Sequence, residues 1–503
     1  MNTLLGIDLG TSSVKALLMD ERGQELGFGA QGYGIEKLRP EYAEQSPERW
    51  WTAAAGAVAR ALAASGVRPE EVAGIGLSGQ MHGLVALDSR GRPVRPAVIW
   101  ADQRTEDQVR LIDERIGRSR FGAVTGNRPA AGFFLPSLLW IKEHEPDAYA
   151  RTATALLPKD YLRLRLTGRA GTDWSDASAT LAFDVQRRVW AVDLLEELGL
   201  DPGVLPECGA PREPCGGVGR DAARAAGLAP GTPVFLGGGD QPMQALGCGV
   251  IGEGAVSLNI GTGAQISTPL GTPKRDPQLR TNTFCHVPEH TWYVMGATLN
   301  GGLALKWLAE RVLEEESYPR LDAEAGAVSP GSGGLVFLPY LVGERTPHFD
   351  PGATAMFCGL NLGHGRGHMI RAVMEGVVFA LRDSLEIIRT LGVEVESAIA
   401  AGGGATSPLW LQIQADVLNL PIRVTAIREQ ACVGAAITAG VGAGVFSTYT
   451  EACERISKLR EGGVDPRPAA VRRYDDVYGV YRDLYHRNPR GGGSRGVTEG
   501  GVT

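Results

Sequence analysis

Two short stretches half a chain apart share one pattern: "IDLGTSS" at 7–13 and "LNIGTGA" at 258–264. Asp8 aligns with Asn259, Gly10 with Gly261 and Thr11 with Thr262, at an offset of 251 residues in a chain of 503. Each copy is an apolar strand that enters a Gly-Thr turn and leaves it as another strand, "VKALLMD" in one case and "QIST" in the other. Internal repetition constrains a fold more than any other feature of a sequence. It predicts two similar domains dividing near 246–252, 1–248 and 249–489, which face each other across a cleft.

The local pattern agrees with that reading. Strands at 3–9, 14–19 and 25–31, with a turn at "DERG" 20–23, predict an antiparallel ladder whose first corner is the Gly-Thr turn. Ser46-Pro47-Glu48 predicts a helix start, with Ser46 as N-cap and Pro47 at the first helical position, running to Gly66. A strand at 72–78 follows, and strands mixed with helices place the chain in the α/β class. The tail "RGGGSRGVTEGGVT", 490–503, has almost no apolar content and is expected to be disordered.

Composition excludes several function classes. Hydrophobic residues make up 43% and charged residues 21%, enough apolar material for two cores. A net charge of -7 argues against a general nucleic-acid partner but leaves room for phosphate in a local pocket. No apolar run reaches the length of a membrane span, and Asp8 interrupts the apolar start, so the expectation is a cytoplasmic protein without a membrane partner. The seven cysteines show no CxxC spacing, which predicts reduced, buried thiols rather than disulfides or a zinc site. His364 and His368 stand four apart with no third ligand nearby, and read as solvated surface histidines.

A tight turn whose backbone N–H groups converge is an anion receptor. Thr11, Ser12 and Ser13 add hydroxyl donors to the first turn, Lys15 adds charge, and Gly261, Thr262 and Gly263 form the second. Two such turns facing one another would grip a polyphosphate. Asp8 would repel phosphate unless a cation lay between, and Mg²⁺ takes one or two carboxylates with waters and phosphate oxygens. The first turn is therefore expected to hold the metal side, with Asp8 reaching it through water, and the neutral Asn259 turn to bind phosphate by hydrogen bonds. There is no Walker A motif. GxGxxG matches at 247–252 and 491–496 are decoys, since one follows a helix-like segment and the other lies in the tail. A third glycine cluster, "AIAAGGGATSPLW", runs from an apolar strand through Gly403, Gly404 and Ser407 into a helix starting near Pro408, where a flat base and phosphate could lie.

Six stretches in this order, "GIDLGTSSVK", "LSGQMHG", "LLPKDYLRLRLTG", "GGGD", "FLPYLVGERTPH" and "HMIRAVMEGVVFAL", resemble the FGGY carbohydrate kinases over residues 5 to 440 or so. The resemblance implies a two-domain actin-like ATPase (ribonuclease H-like) α/β fold, each domain a mixed sheet flanked by helices, with ATP in the interdomain cleft. It implies ATP-dependent phosphorylation of a sugar hydroxyl with Mg²⁺, the two Gly-Thr turns serving as phosphate loops and "AGGGATSPLW" as the adenosine motif. Taken alone, Asp240 at the end of "PVFLGGG" reads equally as a base or as a helix-capping acid. The resemblance makes it the general base. It also assigns Met81 and His82 to contact with a ketose, and places Gln241, Trp100, Asp102 and Arg104 around the sugar. In "GERTPH", a structural Arg-Glu pair is an equal expectation.

The sequence departs from the family pattern at Ser137, where many relatives carry Lys, at Gln241-Pro242 after the acid, and in "NIGTGAQ". These positions bear on which sugar is taken. D-xylulose is the first expectation; sedoheptulose, L-xylulose, gluconate and glycerol are alternatives within the family. An actin- or chaperone-like ATPase switch is the alternative from another class, disfavoured because no separate peptide-binding domain follows. A homodimer is a further expectation of the resemblance.

Overall fold

The computed structural model describes residues 2–488, so the tail at 490–503 lies outside the described residues. The chain opens with β1 (Thr3–Leu9), β2 (Ser13–Asp20) and β3 (Glu25–Gly32), an antiparallel ladder in which Asp8 pairs with Lys15. Alternation of small and apolar residues lets both faces be covered, and β1 is buried throughout. Helix α1 (Pro47–Ser65) packs along β3 and ends at Gly66, whose φ of 68° closes the last turn in the left-handed region. Ser46 takes the N-cap position with extended backbone, but its side chain caps nothing. Its carbonyl instead accepts from the N–H groups of Arg49 and Trp50.

Strand β4 (Val72–Gly79) lies parallel to β1, and β5 (Pro214–Gly217), β6 (Pro233–Phe235) and β7 (Gly238–Gly239) complete the first sheet, with β7 parallel to β4 at its C-terminal end. Asp240 opens α2 (Asp240–Gly247) directly after β7.

The second half repeats this plan. Strands β8 (Gly254–Ile260) and β9 (Ala264–Leu270) form the hairpin, β10 (Asn282–Cys285) and β11 (Trp292–Thr298) extend it, and helix α3 (Arg366–Thr390) covers it. Strand β12 (Val395–Ala401) is parallel to β8; α4 (Pro408–Leu418) and the edge strand β13 (Ile422–Val424) follow. The strand orders correspond: β3-β2-β1-β4-β6 in one sheet and β11-β9-β8-β12-β13 in the other. The repeat in sequence is thus a repeat in topology, an α/β arrangement of two mixed sheets flanked by helices.

One helix breaks the symmetry. Helix α5 (Gln430–Gly442) comes from the second half but packs on β1 and β4 of the first sheet and on α2. Glycines permit the approach: a Cβ on Gly6 would lie 1.9 Å from the Cys432 carbonyl oxygen, and one on Gly76 equally close to that of Ala435. The seven cysteines are free thiols, five of them buried. His364 precedes α3 rather than sharing its face with His368; both are half-buried, and their Nδ1 atoms accept from the N–H groups of Asn361 and Gly365. Among the described residues no helix is long and apolar enough to cross a membrane, and no cluster of three or more His, Cys, Asp or Glu could hold a metal ion.

Candidate active site

Three parallel strands end side by side. In register, Asp8 of β1 sits beside Ser78 of β4, and Ser78 beside Gly238 of β7. The C-terminal ends of parallel strands are where α/β sheets present ligands to a crevice. Asp8 and Asp240 converge there. Ser78 Oγ donates to Asp8 Oδ1 at 2.8 Å, yet burial still raises the Asp8 pKa. Burial, and then the charge of Asp8, push Asp240 up to about 7, against the pull of hydrogen bonds from the backbone and side chain of Gln241. A carboxyl group poised there can take a proton at neutral pH.

The first turn is built to leave donors free. Gly10 N–H closes it on the Ser13 carbonyl at 3.0 Å, and the Tyr33 hydroxyl donates to the Gly10 carbonyl. Trp100 Nε1 donates to Thr11 Oγ1 at 2.8 Å, so the Thr11 proton remains available to an anion. Ser12 is exposed and Ser13 half-buried beside it. Lys15 does not reach into the turn: its ammonium pairs with Glu429 at 2.7 Å, just ahead of α5. The expectation that Lys15 contacts phosphate gives way to a tie between the two halves, because β2 faces the helix that crosses back over the sheet.

The second turn opens on a cavity of about 550 Å³. Gly261 and Thr262 line it together with Gly403, Gly404 and Ser407, so the second turn and the third glycine cluster share one site. The carbonyls of Gly261 and Thr262 accept from Gly302, Gly301 and Leu303, which locks the turn onto the segment after β11. Gly301 allows this contact, since a Cβ there would lie 2.3 Å from the Gly263 carbonyl oxygen. Ser407 caps α4 by accepting from Trp410 N–H at 3.0 Å. Asn259 Nδ2 reaches Gln265 at 3.2 Å and Gln244 of α2 at 3.4 Å, which links the second turn to the helix that Asp240 begins.

On the acceptor side, Met81 packs against the acid's strand: a Cβ on Gly239 would meet Met81 Cγ at 2.8 Å. His82 is buried with φ of 72°, and burial drives its pKa down to about 3, so the ring is neutral. Its Nδ1 lies 2.8 Å from the Ala179 carbonyl, which accepts, and this places the proton on Nδ1 and leaves Nε2 as an acceptor for a hydroxyl. Gln241 is bonded to Asp240 and orients it.

Asp102 and Arg104 do not reach the cleft. Asp102 is fully buried and accepts from Ala43 N–H and from Arg104, while Arg104 also pairs with Glu44 at 2.7 Å and lies 3.5 Å from the Tyr42 ring centroid. Every carboxylate oxygen and most of the guanidinium are engaged, so the expected sugar contact is replaced by a brace behind the wall that Trp100 forms.

Several residues escape sequence reasoning. Lys159 is completely buried among Asp160, Asp173 and Asp176, with the nearest oxygen at 2.6 Å. Burial alone would strip its proton, but the three carboxylates outweigh that and hold the proton more tightly than usual. Asp173 accepts from Ser175 Oγ, which in turn accepts from Gly239 N–H at 3.3 Å, and Arg163 donates to the Leu236 carbonyl at 2.7 Å. This ion cluster fixes the strand that delivers Asp240. "LLPKDYLRLRLTG" carries Lys159, Asp160 and Arg163, but only the fold brings Asp173 and Asp176 to them. Trp410, Tyr318 and Lys306 line the large cavity; the glycines near 301 were the one local signal pointing to it.

Comparison with known proteins agrees with this geometry. Residues 3–247 match the FGGY family of carbohydrate kinases, N-terminal domain, and residues 256–443 match its C-terminal domain. The chain is 37% identical to a xylulose kinase of Lactococcus lactis over 487 residues, 96% of this chain and 97% of that protein. It is 35% identical to a xylulose kinase of Bacillus subtilis, covering 96% of this chain and 97% of that protein. A crystal structure described as a "xyloylose kinase" from Brucella ovis superposes with a TM-score of 0.90 at 35% identity, covering 97% of this chain and 99% of that one.

Proposed function

Because the chain belongs to the FGGY family of carbohydrate kinases, whose members take ATP as substrate, we propose that it phosphorylates D-xylulose to D-xylulose 5-phosphate. The observation that carries the reading is the convergence of Asp240 and Asp8 at adjacent parallel strand ends, with the Asp240 carboxyl held at about 7. In-line phosphoryl transfer needs positioning and charge stabilisation more than covalent chemistry. Adenosine lies in the cavity between Gly261, Gly404 and Trp410. The N–H groups and hydroxyls of the two Gly-Thr turns hold the phosphates. Met81 presents an apolar surface to the sugar, and Nε2 of His82 accepts from one of its hydroxyls. Asp240 takes the proton of the attacking hydroxyl, with Gln241 keeping its carboxylate aimed.

The residues at the first turn fit Mg²⁺. Asp8 and Asp240 repel each other, and a cation beside them relieves that repulsion while using phosphate oxygens and water as its other ligands. Asp8 would hold it, through water, and the ion would supply charge neutralisation on the phosphates. We place the protein in the cytoplasm, in keeping with its free, mostly buried thiols.

A coupled ADP-release assay over a panel of sugars tests the substrate. Turnover with D-xylulose should exceed that with sedoheptulose, L-xylulose, gluconate and glycerol. A higher kcat/KM for any of those sugars replaces D-xylulose with that acceptor.

A further inference from the structure

The segment "GERT", 343–346, ends in the cleft without the internal pair its sequence suggests. Glu344 is buried and does not hold Arg345. One of its oxygens accepts from the N–H groups of Leu299 at 3.0 Å and Arg345 at 2.7 Å, and the other from the Thr298 hydroxyl. Thr346 N–H donates to the Ala297 carbonyl at 3.0 Å, and Asn300 Nδ2 to the Gly343 carbonyl at 2.8 Å. These bonds rivet the segment to the end of β11, immediately before the residues that lock the second Gly-Thr turn.

From that anchor the Arg345 side chain crosses to the other half. Its guanidinium carbon lies 5.7 Å from the centroid of Trp100, whose Nε1 donates to Thr11 of the first turn. It is also near enough to His82 for its charge to oppose protonation of that ring. Among the described residues the guanidinium has no carboxylate within ion-pair distance and no hydrogen-bond partner. It keeps partial solvent contact while protein crowds it enough to lower its pKa. A desolvated cation with five donors and no anion is an incomplete site. Its surroundings say which anion completes it. The first phosphate turn lies on one side through Trp100 and Thr11, the acceptor-binding His82 lies on another, and the anchor is the second phosphate turn. A group in transit between nucleotide and sugar hydroxyl passes between these three.

We propose that Arg345 is a catalytic residue that donates hydrogen bonds to the equatorial oxygens of the phosphoryl group during transfer. This rests on the kinase reading above. As the hydroxyl oxygen of the acceptor bonds to phosphorus, the bond from phosphorus to the bridging oxygen breaks. The electron pair leaves on ADP, the hydroxyl proton goes to Asp240, and Arg345 stays protonated throughout. Its planar fork matches a phosphoryl group better than a lysine can.

The test uses the full-length enzyme with ATP, Mg²⁺ and its accepted sugar, comparing wild type with Arg345→Met, Arg345→Ala and Arg345→Lys. Removing one preorganised donor to developing charge should lower kcat by about 10²–10³-fold, with the KM for sugar and the affinity for ADP each within about threefold of wild type. Arg345→Lys should recover only part of the loss, and added guanidinium ion should raise turnover of Arg345→Ala but not of wild type. Tight binding of ADP with aluminium fluoride in the presence of sugar should be lost in Arg345→Met. An unchanged kcat overturns the proposal. So does a raised KM for sugar at full kcat, which would make Arg345 a ground-state sugar contact, and so does a lowered Tm with parallel loss of ADP binding, which would make it structural. If wild type prefers a sugar other than D-xylulose, only the substrate assignment fails and the comparison runs on that sugar. If wild type transfers phosphate to none, both fall.

Discussion

The two Gly-Thr turns occupy equivalent places in equivalent sheets and have opposite electrostatics. Asp8 and Asn259 each sit on the central strand of a hairpin, opposite Lys15 in one and Gln265 in the other. The first carries a buried carboxylate whose pKa is raised, facing another acid. The second carries an amide that bonds two glutamines and opens on an apolar-sided cavity. The difference teaches that duplication supplied two phosphate receptors, and that a single acid at one of them turned it into the side that manages metal and proton. The other stayed neutral, as a receptor for a bound nucleotide must when its ligand already carries several negative charges.

The largest effect should come from the acid that the first turn faces. Asp240→Ala should lower kcat by about 10²–10⁴-fold while ADP affinity, measured by calorimetry, stays near wild type. With Asp240 titrating at about 7, a base must be unprotonated, so kcat/KM should rise about tenfold per pH unit below that value and flatten above it. The stability linkage has the opposite sense. An acid whose folded pKa is raised favours the protonated folded state, so stability falls as pH climbs from the ordinary Asp range to about 7. Urea denaturation of Asp240→Asn should show a shallower decline over that window than wild type.

Next come the swaps that erase or invert the asymmetry. Asp8→Asn should reduce activity by about 10- to 100-fold, partly restored by raised Mg²⁺, since it removes the carboxylate that orients the ion. Asn259→Asp places a charge against the nucleotide phosphates and should raise the KM for ATP by about tenfold, the equivalent of about 1.4 kcal/mol. If both single variants lose activity by the same route, with the same Mg²⁺ response, the two turns are not functionally distinct.

The smallest effect should come from Lys15, which sits beside the first turn but is paired elsewhere. Lys15→Met removes a part-exposed ion pair and should change stability by less than about 1 kcal/mol in a denaturant titration, with the KM for ATP unchanged. A large rise in that KM would return Lys15 to the phosphate site.

The hairpins, the Gly-Thr turns, the helix starting at Pro47 and the run from strand through Gly403–Gly404 to Pro408 are legible in sequence because each depends on neighbours a few residues apart. Asp240 is legible as an acid after glycines, though the choice between base and cap is not. The failures concern charge. Lys15, Asp102 and Arg104 read as ligand contacts, and each is neutralised by a partner that the local pattern does not announce: Glu429 for Lys15, Glu44 and Ala43 for the other two. Arg345 shows the reverse. Its adjacent Glu344 suggests a pair, but the carboxylate is consumed by backbone N–H groups at 299 and 345.

What the sequence determined by itself was the inventory and the repeat: two strand-turn-strand units, one acidic and one neutral, and an acid at the end of a glycine strand. What only the tertiary structure decided was which charges remain free. A charged side chain takes the oppositely charged partner that packing brings within reach. Here the crossing helix α5, the buried Lys159 cluster and the β11 anchor bring those partners from distant parts of the chain. A charge that has found its partner holds the fold together, and one left without a partner at the floor of a cleft is available to a ligand.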